Sequence, residues 1–253
     1  PGVIGANYPT EAAVVGDARL ALAALNAEIG SPKAPARDLN EAAVMAARVA
    51  KFAAFHVLAN SDERPIRPER LVAALAELLD DDAVLIADPG TPCPYLSAYY
   101  PVTRTGRQFF SNRAHGALGY SLPAAVGASY GRPGAKVVAV MGDGSFGFNA
   151  GELETVARLG LPITFVVVSN GVFGWIKAGQ KSGFDERYFS VDFSTTDHAR
   201  VAEAYGLRSW RVEDPGELRE KLAAALNCPG PSLIDVICQP LQEANAPVSE
   251  WIA

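Results

Sequence analysis

Residues 137–147 read VVAVMGDGSFG and residues 163–172 read ITFVVVSNGV. Each opens as a continuous apolar run of strand length, at 137–141 and 163–168. Each then breaks at turn residues, Gly142-Asp143-Gly144-Ser145-Phe146-Gly147 in the first and Ser169-Asn170-Gly171-Val172 in the second. A strand without polar alternation is covered on both faces, which points to a parallel sheet between helices. The pattern repeats outward. Apolar runs VLIA at 84–87 and LIDVI at 233–237 alternate with helical patterns at 39–59, 68–79, 118–130, 151–159, 198–205 and 215–226. The expected fold class is therefore α/β, a parallel sheet with helices on both faces. Ligands in such sheets bind at the carboxyl ends of the strands, here just after Ala87, Met141 and Val168.

The first thirty residues do not fit this scheme. A short run at 12–15 (AAVV), then Gly16-Asp17 and a helical pattern of Leu20, Leu22, Ala23 and Leu25, gives one strand and one helix, too little for a domain. Residues 30–38, GSPKAPARD, carry two prolines and no period and read as a linker. The expected organisation is a domain tail at 1–30, a linker at 31–38 and the α/β domain at 39–253. With Pro1 first and no Met, the chain is expected to be processed or a piece of something longer.

Composition narrows the partners. Of the 253 residues 49% are hydrophobic and 20% charged, an ordinary globular balance. Twenty-two Lys and Arg against 28 Asp and Glu give a net charge of −6, and no like-charge block is longer than Asp80-Asp81-Asp82, which disfavours nucleic acid and anionic membranes. No apolar stretch is expected to reach the roughly 20 residues that span a bilayer, and no secretion signal is seen, so a cytoplasmic location is expected. Cys93, Cys228 and Cys238 match neither a disulfide framework nor a zinc site.

Glycines at a strand-to-helix turn let backbone N–H groups approach a phosphate. Asp143 inside that turn would repel a bare phosphate, so its presence calls for a bridging cation, and Mg²⁺ shares hard oxygen ligands between protein and diphosphate. A lone GDGS equally reads as a tight turn with an Asp cap. Asn170 stands 27 residues further on, an interval that holds one helix and one returning strand, and so offers an amide oxygen at the same sheet edge.

In spacing, strand placement and flanking residues together, this motif resembles that of the thiamine diphosphate (ThDP) enzymes, which begins with GDG and ends with Asn. The resemblance covers roughly residues 40–240 and looks closest to the acetolactate synthase and 2-keto acid decarboxylase branch. It implies that Asp143 and Asn170 give side-chain ligands to Mg²⁺ and Val172 its carbonyl oxygen, with Gly142, Gly144, Ser145 and Phe146 around the diphosphate. Asp88-Pro89-Gly90-Thr91 falls where this branch places a diphosphate-contacting Gly-Thr, though it also reads as a β-turn and helix cap. His115-Gly116-Ala117-Leu118-Gly119 falls where the family holds the aminopyrimidine ring. There the Gly116 carbonyl would accept from the 4′-amino group, and Leu118 would wedge the cofactor into its bent shape, unless it is plain core packing. His115 would then face substrate or relay a proton, or be structural, while His56 and His198 carry no motif. Residues 173–180 open a helix lining the substrate pocket in this branch. Acetolactate synthases commonly place tryptophan where Gly179 stands here, so their second-substrate selectivity does not carry over.

The family's activating glutamate lies on a separate pyrimidine-binding domain, for which these residues have no room. The resemblance thus implies a partner domain or subunit and a homo- or hetero-oligomer. The activity it implies is C–C bond cleavage or formation beside the carbonyl of a 2-keto acid or a 2-hydroxyacyl-CoA thioester. The alternative is a non-catalytic regulatory or binding subunit of the same fold.

Overall fold

The computed structural model describes residues 2–30, 41–113 and 115–240. The expected linker at 31–38 lies outside them. The chain divides into two compact units, Pro1–Val49 and Ala50–Ala253.

In the first unit, helix α1 (Ala18–Ile29) starts where the Asp17 side chain accepts from the Leu20 N–H. This is N-terminal capping of an otherwise unpaired donor. The strand expected at 12–15 does not form. A strand needs a neighbour to satisfy its N–H and C=O groups, and among the described residues none pairs with it. The described residues of this unit are almost all exposed, so it has no core of its own.

Helix α2 (Glu41–Ala59) runs across the division. Contrary to expectation, it is long and apolar enough, by length and composition, to cross a membrane. Its apolar character comes largely from alanine, and Arg48 and Lys51 interrupt it near the middle. A charge at a bilayer centre costs about 3 kcal/mol. Lys51 instead donates to the Ala98 carbonyl at 2.7 Å, and Phe55 and Ala59 are buried in the core of the second unit.

That unit holds helix α3 (Pro68–Leu78), strand β1 (Val84–Ala87), helix α4 (Pro92–Tyr99), strand β2 (Phe109–Ser111) and helix α5 (Ser121–Gly131). Strand β3 (Val137–Gly142) leads directly into helix α6 (Asp143–Asn149), a 3-10 turn at Ala150–Glu152 and helix α7 (Leu153–Leu159). Strand β4 (Ile163–Ser169), helices α8 (Gly174–Gly183) and α9 (His198–Ala204), strand β5 (Arg208–Val212), helix α10 (Leu218–Leu226) and strand β6 (Ser232–Ile237) complete it. The six strands form one sheet in the order β2-β1-β3-β4-β6-β5, every pairing parallel.

The inner strands β1, β3, β4 and β6 are largely apolar because both faces are covered, yet each still alternates. Leu85, Ala87, Val138, Val140, Val166, Val168, Ile234 and Val236 join the core shared with α3, α4 and α10. Val84, Ile86, Val137, Ala139, Met141, Phe165, Val167 and Leu233 join the opposite core with α5, α7 and α9. In the register, Ala87 lies beside Val140 and Gly142 beside Val168, so β1, β3 and β4 end together. The turns after them form one edge.

Candidate functional site

Asp143 is buried at that edge, held where β3 hands over to α6. Its Oδ1 accepts from the Gly144 N–H at 2.8 Å, and its Oδ2 accepts from the N–H groups of Asn170 (2.9 Å) and Gly171 (2.6 Å), which end β4. Burial pushes the Asp143 carboxyl above its ordinary range, and these N–H donors pull it only partly back. Asn170 reaches the third turn, its Nδ2 donating to Thr91 Oγ1 at 3.1 Å while its Oδ1 accepts from the Val172 N–H at 3.3 Å. Asp143, Asn170 and Thr91, from three strand ends, thus form one hydrogen-bonded row, through the Asn170 N–H to Asp143 and the Asn170 amide to Thr91. The ladder across the Val172–Asp192 bridge uses the Gly171 carbonyl and the Phe173 N–H, which leaves the Val172 carbonyl outside it.

Gly90, at φ 117°, adopts a backbone conformation that favours glycine, and its carbonyl accepts from Trp175 Nε1 at 2.9 Å, tying α8 to the turn after β1. A Cβ built on Gly90 would lie 3.8 Å from Leu118 Cδ2, so Leu118, half-buried, adjoins the same turn. His115 and Gly116 are exposed on the approach to it. Asp88, fully buried, fixes that approach: Oδ1 accepts from the Gly119 N–H at 3.2 Å and Oδ2 from the Ser121 N–H at 2.8 Å. Burial raises the Asp88 carboxyl as well, against the opposing pull of Ser121, Ser145 and Gly119. Ser145 and Phe146 are themselves buried, so neither side chain is open to solvent.

Gly144 answers a packing demand as well as any phosphate. A Cβ there would sit 2.6 Å from Phe173 Cε1 and 3.0 Å from Phe193 Cζ, two rings stacked edge to face over the turn. Gly142 has no such neighbour within 4 Å.

On the far side of Asp143 lies a network without a sequence motif. Ser169 Oγ donates to Asp235 Oδ1 at 2.5 Å and lies 2.9 Å from His198 Nδ1. Asp235 Oδ2 accepts from the His198 N–H (3.1 Å) and from Arg211 Nη1 (2.9 Å). Although burial opposes it, the His198 ring, Ser169 and Arg211 together hold the Asp235 carboxyl below its ordinary value. The signal for this cluster was Asp235 itself, a charge inside the apolar run LIDVI, where only a paired carboxylate can be buried.

A parallel sheet that gathers a carboxylate, an amide and a hydroxyl at three neighbouring strand ends places them where α/β domains bind ligands. Residues 88–236 match the family described as thiamine pyrophosphate enzyme, C-terminal TPP binding domain. The chain belongs to that family. It is 30% identical over 251 residues to a probable acetolactate synthase large subunit of Methanococcus aeolicus, covering 95% of this chain and 42% of that protein. To the acetolactate synthase of Bacillus subtilis it is 36% identical over 169 residues, 67% of this chain and 29% of that one. Among solved structures it resembles the thiamine diphosphate-dependent 4-hydroxybenzoylformate decarboxylase of Rhodococcus jostii, with TM-score 0.64 and 26% identity over 69% of this chain and 33% of that one. The chain spans well under half the length of each of these relatives.

Proposed function

We propose that this chain is the diphosphate- and Mg²⁺-binding part of a ThDP-dependent enzyme that breaks or forms a C–C bond beside the carbonyl of a 2-keto acid. The observation that carries the reading is the row Asp143–Asn170–Thr91 across three adjacent strand ends. A buried carboxylate whose ionisation is opposed by desolvation fits a divalent cation, which would repay that cost. Asp143 and the Asn170 Oδ1 would ligate the metal, with the Val172 carbonyl as a third oxygen. Gly90 and Thr91, with the backbone of residues 142–146, would receive the diphosphate.

When bound, ThDP supplies a carbanion at its thiazolium C2 and an electron sink for the bond that breaks. The chain's own residues position and shield. The Gly116 carbonyl would accept from the aminopyrimidine, Leu118 would set the angle between the two rings, and exposed His115 would meet the substrate carboxylate. The activating glutamate belongs, in this reading, to a pyrimidine-binding domain on another polypeptide or another part of the protein. Residues 1–30 would be the tail of a central domain, and the assembled site would lie between subunits. The acetolactate synthases and the 4-hydroxybenzoylformate decarboxylase among the similar proteins support a 2-keto acid as substrate class.

Calorimetric titration of ThDP with and without Mg²⁺ tests the metal assignment. Asp143→Ala should abolish the Mg²⁺-dependent part of the binding, because the diphosphate charge is then unbridged. Unchanged affinity would overturn the assignment.

A further inference from the structure

A cavity of about 680 Å³ opens behind the Gly142–Phe146 turn, on the side of α9, β5 and β6. It shares Asp143–Gly144 and Asn170–Gly171 with the cofactor edge, but Gly90, Thr91, Leu118, Ser145 and Val172 do not line it. Its walls are largely aromatic and aliphatic, with Phe146, Phe173, Phe193 and Val201 around His198.

His198, with 9% of its side chain exposed, is the one imidazole among the polar residues of those walls, which also include Ser194, Thr195 and Thr196. The proton positions on its ring follow from its neighbours. Ser169 has one hydroxyl proton, and at 2.5 Å it goes to the ionised Asp235 carboxylate, so Ser169 Oγ has only lone pairs left for His198 Nδ1. Nδ1 therefore carries a proton. In the neutral ring Nε2 is then a bare acceptor, and among the described residues it has no hydrogen-bond partner. Phe146, edge-to-face on the ring at 5.2 Å, helps fix its plane.

The remaining charges disfavour an anion. Arg211 is spent on Asp235 at 2.9 Å and Glu213 at 2.8 Å, and the Asp143 carboxylate forms part of the wall. A cavity lined by three phenyl rings, with an imidazole acceptor among its polar residues, suits a flat neutral molecule that carries a donor. We infer that this cavity, which adjoins the cofactor edge through Asp143 and Asn170 and extends behind it, is a second binding site for a small neutral aromatic molecule whose O–H or N–H donates to His198 Nε2. The inference stands independently of the cofactor reading.

The test is a fluorine-NMR titration of the full chain with 4-fluorophenol, and with fluorobenzene, which has the same ring and no donor. Saturable 4-fluorophenol binding is expected, about five- to tenfold tighter than fluorobenzene, the worth of one hydrogen bond. His198→Phe keeps the ring and removes the acceptor, so the preference should disappear. Val201→Phe, which fills the cavity without touching the polar network, should abolish binding of both probes, whereas Leu118→Ala, on the cofactor edge, should leave it unchanged. Equal affinity for the two probes in the native chain would overturn the proposal. So would loss of binding in Leu118→Ala with retention in Val201→Phe, which would put the phenol at the cofactor edge.

Discussion

Gly144 shows how a motif glycine can also answer a packing demand. In the sequence it is the glycine that lets a backbone approach a phosphate, and in the structure it is also the position where a Cβ would collide with Phe173 at 2.6 Å. Phe173 and Phe193 are large rings in mutual contact, so the clash is not relieved by one flexible chain end. Gly144→Ala should therefore destabilise the domain by about 1–3 kcal/mol even without cofactor, the usual cost of overpacking. Urea denaturation checks this, and the double variant Gly144→Ala/Phe173→Leu should recover part of the loss. A single variant as stable as the native chain would mean that the glycine serves the ligand alone.

At the level of elements, Asp88 joins β1 to α5 by accepting the Gly119 and Ser121 N–H groups, and so sets the path of the Gly116–Leu118 segment. Its carboxyl is raised above 3.8 in the folded chain, chiefly by burial. A raised carboxyl binds its proton more tightly folded than unfolded. Its contribution to stability is therefore greatest at low pH and is lost as pH rises from about 4 through the folded-state value. Asp88→Asn does not titrate, and its amide turns a donor toward one of the two N–H groups, so it should be less stable than the native chain. That difference should shrink as the pH rises above about 4 in paired urea melts. A constant or growing difference would show that Asp88 is not the group titrating.

The same scale shows what could be read beforehand. Strands β1, β3, β4 and β6 and helices α3, α7, α9 and α10 were legible within a few residues because continuous apolar runs and helical periods are local signals. Strands β2 (FFS) and β5 (RSWRV) were not. They are the two edge strands, β5 only partly buried and interrupted by Arg208 and Arg211, so neither shows the apolar run of a covered strand. Helix α4 was hidden by its opening Pro-Cys-Pro, which reads as a turn although proline suits a first helical position. The meeting of Asp143, Asn170 and Thr91 at one sheet edge was legible because each follows a strand end. The Ser169–His198–Asp235–Arg211 network was not, because its members come from four separate segments and meet only when β5 and β6 pair.

At the scale of the molecule, the segments that lead from the strand ends present an exposed rim. His115 and Gly116 are exposed there, and Phe148, Ile176, Phe184 and Phe189 are exposed large apolar side chains on or near α6 and α8. Apolar surface so placed favours association, because covering it yields about 25 cal/mol per Å². If the proposed pyrimidine domain covers this rim, the ThDP- and Mg²⁺-loaded protein should sediment as an oligomer, and ThDP should shift the equilibrium toward it, since a ligand held between subunits stabilises their association. Phe189→Asp and Ile176→Asp, both on the exposed rim, should weaken the oligomer and the retention of ThDP together, while leaving the thermal melt of the isolated domain near that of the native sequence. A monomer saturated with ThDP would separate the two properties and show that this rim is complete without a partner.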